Sequence, residues 1–185
     1  ILNECASDTA YGRECYKTQL ELIKSLDVTR PRSFSSCRFK TDICFDLVDV
    51  VSYNIYPKWY HNTPVAMYLD DLYKWVQTTG GAGKPFLITE VGAGAIYGYR
   101  TPAKVKWSEE YQVLALEEQL GAILSYKDCS GVYIWQFCDV RVTNDWWNTR
   151  PRTMNNKGIV DEYRRPKLSY ETVKRIFRSV DTYRK

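Results

Sequence analysis

The sequence holds a single histidine, and none of its six cysteines falls in a C-x-x-C pair. That combination argues against a zinc site, and no metal or cofactor is expected. No apolar run is long enough to span a bilayer, so no membrane partner is expected. No signal peptide is recognisable. The chain starts at Ile1 rather than Met, so its N-terminus reads as cut, and any targeting segment would have gone with it. No linker, low-complexity tract or internal repeat divides the chain. No nucleic-acid motif accompanies its net charge of +4, which makes nucleic acid a poor candidate partner.

What is present fits one soluble globular domain. A chain of 185 residues can bury a sizeable core, and 44% hydrophobic against 26% charged residues excludes a disordered chain. Cys5, Cys15, Cys37, Cys44, Cys129 and Cys138 include several within apparent strands or helices. They read as reduced core residues, which suits the cytoplasm. Fifteen Tyr and six Trp supply flat amphipathic rings that either fill a core or stack on sugar C–H faces. Residues 141–167 carry seven basic against three acidic residues, matching the excess of the whole chain. Such a run is either a solvated loop or a surface facing an anionic ligand.

Strand and helix patterns alternate. Tyr16, Leu20, Ile23 and Leu26 recur at helical spacing, predicting a helix from about Arg13 to Leu26. A short strand follows over Pro31–Ser36, and a longer apolar one over Asp49–Tyr56. Thr63 reads as an N-cap with Pro64 at the first helical position, opening a helix that stops at Gly80-Gly81. Pro85–Thr89 is the third strand, Ser108-Glu109-Glu110 starts the next helix, and Val132–Phe137 is the fourth strand. Pro166 opens the last helix, after a loop of nearly thirty residues from Cys138 to Arg165. Strands buried on both faces and separated by helices imply a parallel sheet. Four strands and a stub are too few for an eight-stranded barrel, so the sheet is open or is the second half of a barrel.

Chemistry concentrates where the strand patterns end. Ile1-Leu2-Asn3-Glu4 and Phe86-Leu87-Ile88-Thr89-Glu90 each run from apolar residues into a carboxylate. Asn54-Ile55-Tyr56 and Trp135-Gln136-Phe137 occupy the same kind of position. If the strands are parallel and adjacent, these groups meet at one rim. Either glutamate alone reads as a helix cap or a loop residue. As a pair, they are the two carboxyl groups that a glycosidase requires. His61 and the pair Asp46 and Asp49 read as ordinary loop and strand-start residues. Trp146-Trp147 either clamps an aglycone or packs the long loop down.

The ordered set Asn3-Glu4, Leu26-Asp27-Val28-Thr29-Arg30-Pro31, Asn54-Ile55-Tyr56-Pro57-Lys58-Trp59-Tyr60, Ile88-Thr89-Glu90-Val91-Gly92-Ala93, Trp107-Ser108-Glu109-Glu110-Tyr111-Gln112 and Asn155-Asn156-Lys157-Gly158-Ile159 resembles the barrel domain of glycoside hydrolase family 2, most of all its β-glucuronidases. The resemblance runs from Asn3 to about Lys167. It implies an α/β fold, the C-terminal half of a (β/α)8 barrel from the end of strand 4 to strand 8 and the final helix. Residues 1–185 would then be a partial catalytic domain, with the preceding barrel strands and upstream β-sandwich domains absent. It implies a retaining hydrolase of terminal β-D-glucuronides with Glu4 as acid/base and Glu90 as nucleophile. Asn3, Asn54, Tyr56, Tyr60 and Trp135 would bind the sugar, and Asn155 with Lys157 would grip a uronate carboxylate. A β-galactosidase or other neutral-sugar enzyme of the family is one alternative. An inactive or sugar-binding half-barrel is another. The missing half-barrel is the expected partner of the exposed strand edges, unless a second copy covers them, and the isolated fragment is expected to be inactive.

Overall fold

The computed structural model describes residues 2–180; Ile1 of the N-terminal stub and residues 181–185 lie outside the described residues. Helices α1 (Ala10–Leu26), α2 (Val65–Thr78), α3 (Glu109–Ser125) and α4 (Leu168–Val180) are interspersed with strands β1 (Ser35–Ser36), β2 (Val51–Asn54), β3 (Phe86–Val91) and β4 (Cys129–Ile134). These strands are all parallel and lie side by side in chain order. Asn3 extends the order through a parallel bridge to Ser35. Sequential parallel strands with helical crossovers are the construction of a (β/α)8 barrel, here with four of its strands.

Local chemistry explains where the elements begin. Helix α1 starts before Arg13 because the Thr9 hydroxyl accepts from Gly12 N at 3.0 Å and caps it. Thr63 is not the cap of α2. Pro64 takes that position without a side-chain cap bond, and the helix ends at Thr78, ahead of the glycines. Ser108 caps α3 by accepting from Tyr111 N, and Glu109 and Glu110 in its first turn favour the helix dipole. Helix α4 begins at Leu168 rather than Pro166, which instead bridges Val160.

The strands also shift. Strand β1 shrinks to Ser35–Ser36, since Pro31 has no N–H for a ladder. All four residues of β2 are buried, as expected of a strand covered on both faces. Strand β3 runs past Thr89, so Glu90 lies within the ladder, opposite Asn54. Strand β4 ends at Ile134, leaving Trp135-Gln136-Phe137 beyond it rather than inside it. Among the described residues β4 pairs only with β3, and Tyr133 on β4 and Phe137 just beyond it are 61% and 57% exposed.

The core lies between the helices and the sheet. Tyr16 and Leu20 of α1, Leu69, Leu72 and Val76 of α2, and Leu116, Leu120 and Ile123 of α3 close over Phe86 and Ile88. Each such apolar side chain contributes roughly 1.5–3 kcal/mol on burial. Among the cysteines only Cys44 is fully buried, and Cys5 and Cys37 are exposed, so the core reading holds for one position. The long segment after Cys138 is not structureless. Strands β5 (Val140–Arg141) and β6 (Met154–Asn155) pair antiparallel across two 3-10 turns, Asn144–Thr149 and Pro151–Thr153.

Candidate active site

Asn54, the last residue of β2, organises the carboxylates. Its buried Nδ2 donates to Asn3 Oδ1 at 2.9 Å and to Glu4 Oε1 at 3.0 Å. Its Oδ1 accepts from Thr89 Oγ1 at 2.6 Å, which ties the N-terminal stub to β3 through one amide. Glu4 holds a left-handed backbone, φ 54°, fixed by its N–H donating to Ser35 O at 2.9 Å. A non-glycine residue in that conformation costs on the order of 1–3 kcal/mol, which the surrounding bonds must offset.

Glu90 faces the same space. Tyr56, just past β2, donates its hydroxyl to Glu90 Oε2. Burial raises the Glu90 pKa, the Tyr56 bond opposes that rise, and the charge of Glu4 adds to it. The same burial, with Glu90 beside it, drives the Tyr56 hydroxyl far above its ordinary value. Gly92 then lets the chain pass closely: a Cβ there would meet Trp135 O at 2.5 Å.

Lys157 closes the other end. Its side chain is buried, and its Nζ donates to Tyr60 Oη at 2.9 Å. The ammonium lies 5.0, 5.9 and 5.1 Å from the ring centroids of Tyr56, Trp59 and Tyr60. Among the described residues no carboxylate pairs with it within 4.0 Å. Burial lowers the Lys157 pKa, and the bond to Tyr60 opposes this. Burial would raise the Tyr60 hydroxyl, but Lys157 and Arg150 outweigh it and lower the pKa. Asn155 stands beside it, its Oδ1 accepting from Lys157 N at 3.3 Å.

All nine residues expected at the site, Asn3, Glu4, Asn54, Tyr56, Tyr60, Glu90, Trp135, Asn155 and Lys157, line one cavity of about 790 Å³. That is a size suited to a small ligand. His61 also lines it, packed 4.8 Å from the Tyr68 ring, so it is more than an exposed loop residue. Trp146 lines it with Arg150 over its ring, whereas Trp147 turns back to donate to Val142 O. Asp46 and Asp49 lie elsewhere, pairing with Arg13 and Arg32.

Sequence reasoning gave no individual role to Arg150, which lines the cavity, or to two buried glutamines of α3. Gln112 Nε2 donates to Ala93 O and Gly158 O at 2.9 and 3.0 Å. Gln119 Nε2 donates to Pro57 O at 2.7 Å and Gly92 O at 3.3 Å. The legible signal was two amides seven residues apart on the apolar face of one helix. Among the described residues no cluster of His, Cys, Asp and Glu is arranged to hold a metal, and no helix is long and apolar enough to cross a membrane.

Residues 1–182 match the family described as glycosyl hydrolases family 2, TIM barrel domain. A β-glucuronidase of Rattus norvegicus is 33% identical over 181 residues, covering 91% of this chain and 26% of its own length. A β-galacturonidase from Eisenbergiella tayi, solved bound to galacturonate, is 74% identical with a TM-score of 0.94, over 96% of this chain and 32% of that one. A β-glucuronidase from an uncultured Clostridium sp. superimposes with a TM-score of 0.82 at 27% identity, over 97% of this chain and 32% of its own. The chain therefore spans about a quarter to a third of the length of these relatives.

Proposed function

The chain belongs to glycoside hydrolase family 2, and on that premise we propose that it carries the catalytic carboxylates of a retaining β-hexuronidase acting on β-D-galacturonides. Since it covers only 26% and 32% of its relatives' lengths, we take it as part of a longer enzyme, with the remaining barrel strands and β-sandwich domains outside these 185 residues. The observation that carries the uronate reading is Lys157. A buried ammonium without a carboxylate partner among the described residues is costly to keep. At the end of a sugar-sized cavity it supplies a charge-assisted bond to a substrate carboxylate. Arg150 adds a second positive group to the same wall.

The chemistry follows from the two glutamates. Glu90 attacks the anomeric carbon while Glu4 protonates the departing glycosidic oxygen. Glu4 then takes a proton from a water whose oxygen attacks the anomeric carbon and displaces the Glu90 carboxylate, which releases the sugar with its configuration retained. This route requires carboxyl groups about 5–5.5 Å apart, and Asn54 and Tyr56 are placed to hold them in one cavity. Asn3 is assigned to the sugar 2-hydroxyl, and Trp135 to the floor beneath the ring.

Galacturonate and glucuronate share the carboxylate and differ at C4. The 74% identity to a galacturonidase supports the galacturonide reading over the glucuronide one that the sequence motifs favour. The glucuronide remains the second reading, supported by relatives near 30% identity. Comparing kcat/KM of the full-length protein on 4-nitrophenyl β-D-galacturonide, β-D-glucuronide and β-D-galactoside tests it. Preference for the galacturonide is expected; preference for the galactoside would overturn the uronate assignment.

A further inference from the structure

Lys157 sits on an irregular loop, where a side chain as long as lysine needs its backbone fixed. Three side chains outside the cavity do that fixing. Asp139 and Lys167 form an ion pair at 2.8 Å, with both side chains wholly inaccessible to solvent. Asp139 Oδ1 also accepts from Gly158 N at 2.8 Å. Lys167 Nζ donates to Asn156 O at 3.1 Å and to Ala95 O at 2.6 Å. Gln112 takes the remaining polar group of Gly158, donating to its carbonyl at 3.0 Å, and is itself held by Ser169 Oγ at 2.7 Å.

The peptide groups on both sides of Lys157 are thus held by Lys167 and Asp139, and the peptide after Gly158 by Gln112, from three separate stretches of chain. Gly158 is required for the fit, since a Cβ there would meet Asp139 N and Val160 O at 2.3 Å. The ion pair is poorly explained as a source of stability. Burial pushes the Asp139 carboxyl up to about 6 in spite of its lysine partner, and lowers Lys167. A buried pair of that kind is often no better for stability than apolar residues of like size. What it does provide is direction, because each charge must keep its fixed partners.

We infer that Asp139, Lys167 and Gln112 are positioning residues that set where the Lys157 ammonium stands, so that uronate affinity depends on side chains that never touch the substrate. This rests on the uronidase reading of the cavity, and the second readout below is independent of it.

In the full-length enzyme the double variant Asp139→Leu/Lys167→Met removes both charges together and leaves neither one buried alone. Its KM for 4-nitrophenyl β-D-galacturonide should rise about tenfold or more, since a misplacement of ~1 Å at a binding group is felt at that scale. Its kcat should stay within about twofold, since the chemistry at Glu4 and Glu90 is untouched. Gln112→Met, which leaves the ion pair in place, should raise KM in the same direction by a smaller factor. Amide hydrogen exchange supplies the substrate-free readout: residues 155–159 should exchange faster in both variants while α2 keeps its protection. If the wild type cleaves no uronide, the proposed function fails and exchange alone judges the clamp. Unchanged exchange over 155–159, or a kcat loss as large as the KM rise, overturns the inference.

Discussion

The Tyr56 hydroxyl, just beyond β2, donates to Glu90 Oε2 on β3, and it does so inside a cavity where burial has already raised the carboxyl's pKa. The bond favours the charged form, which is the form the proposed attack requires. Removing it therefore leaves burial and Glu4 less opposed, and the Glu90 pKa rises further. In Tyr56→Phe the acid limb of the kcat/KM profile should move to higher pH, because activity is lost as pH falls through that pKa. A limb that stays put or moves down would show that Tyr56 does not set the charge of Glu90.

Glu4 should be needed in proportion to how badly the leaving group needs a proton. Glu4→Ala should slow a poor leaving group by about 10²–10⁴-fold, and an activated nitrophenyl or dinitrophenyl group far less. Added azide should restore turnover on the activated substrate and yield a β-glycosyl azide. Equal loss across leaving groups, with no azide product, would remove Glu4 from the acid/base role.

Lys157→Ala should cost uronides much more than galactosides. A hydrogen bond to a charged group is worth about 1.5–3 kcal/mol, or roughly 10- to 150-fold in kcat/KM. If both substrate classes fall by the same factor, Lys157 supports the fold and not the carboxylate.

Among the described residues the far edge of β4 has no strand partner, and Tyr133 on β4 and Phe137 just beyond it are open to solvent. Such an edge and face are covered in a closed barrel. The isolated 185-residue chain should self-associate in light scattering and turn over little chromogenic galacturonide. A monomer with the full rate would show that the rest of the barrel is dispensable.

Much of this was legible in the sequence, for reasons that differ by residue. Helix faces such as Leu69, Leu72 and Val76 announce themselves through spacing, because burial imposes the period. Asn3, Glu4, Asn54, Glu90 and Lys157 were legible through ordered motifs; the parallel, sequential strands bring the first four together, and the loop after β6 brings Lys157 to the same cavity. Boundaries were harder. Strand β4 stops before Trp135, yet Trp135-Gln136-Phe137 continues the same apolar run, so composition gives no end signal. Pro64 fits a first helical turn as well as a cap, and only its backbone decides. The Asp139–Lys167 pair was invisible because its members lie 28 residues apart in a segment that reads as a charged loop. Burial of that loop against α3 and the end of β3 is a tertiary fact with no local periodicity to reveal it.

The role of Glu90 as the nucleophile of a uronidase is open to direct chemical trapping. The measurement is mass spectrometry of peptides after the full-length enzyme meets a 2-deoxy-2-fluoro-β-D-galacturonyl fluoride. A single stable adduct on Glu90 is expected, formed with loss of activity and abolished in Glu90→Gln. An adduct on Glu4 or another carboxylate, or inactivation by the neutral fluoro-galactoside in preference to the uronyl reagent, would contradict it.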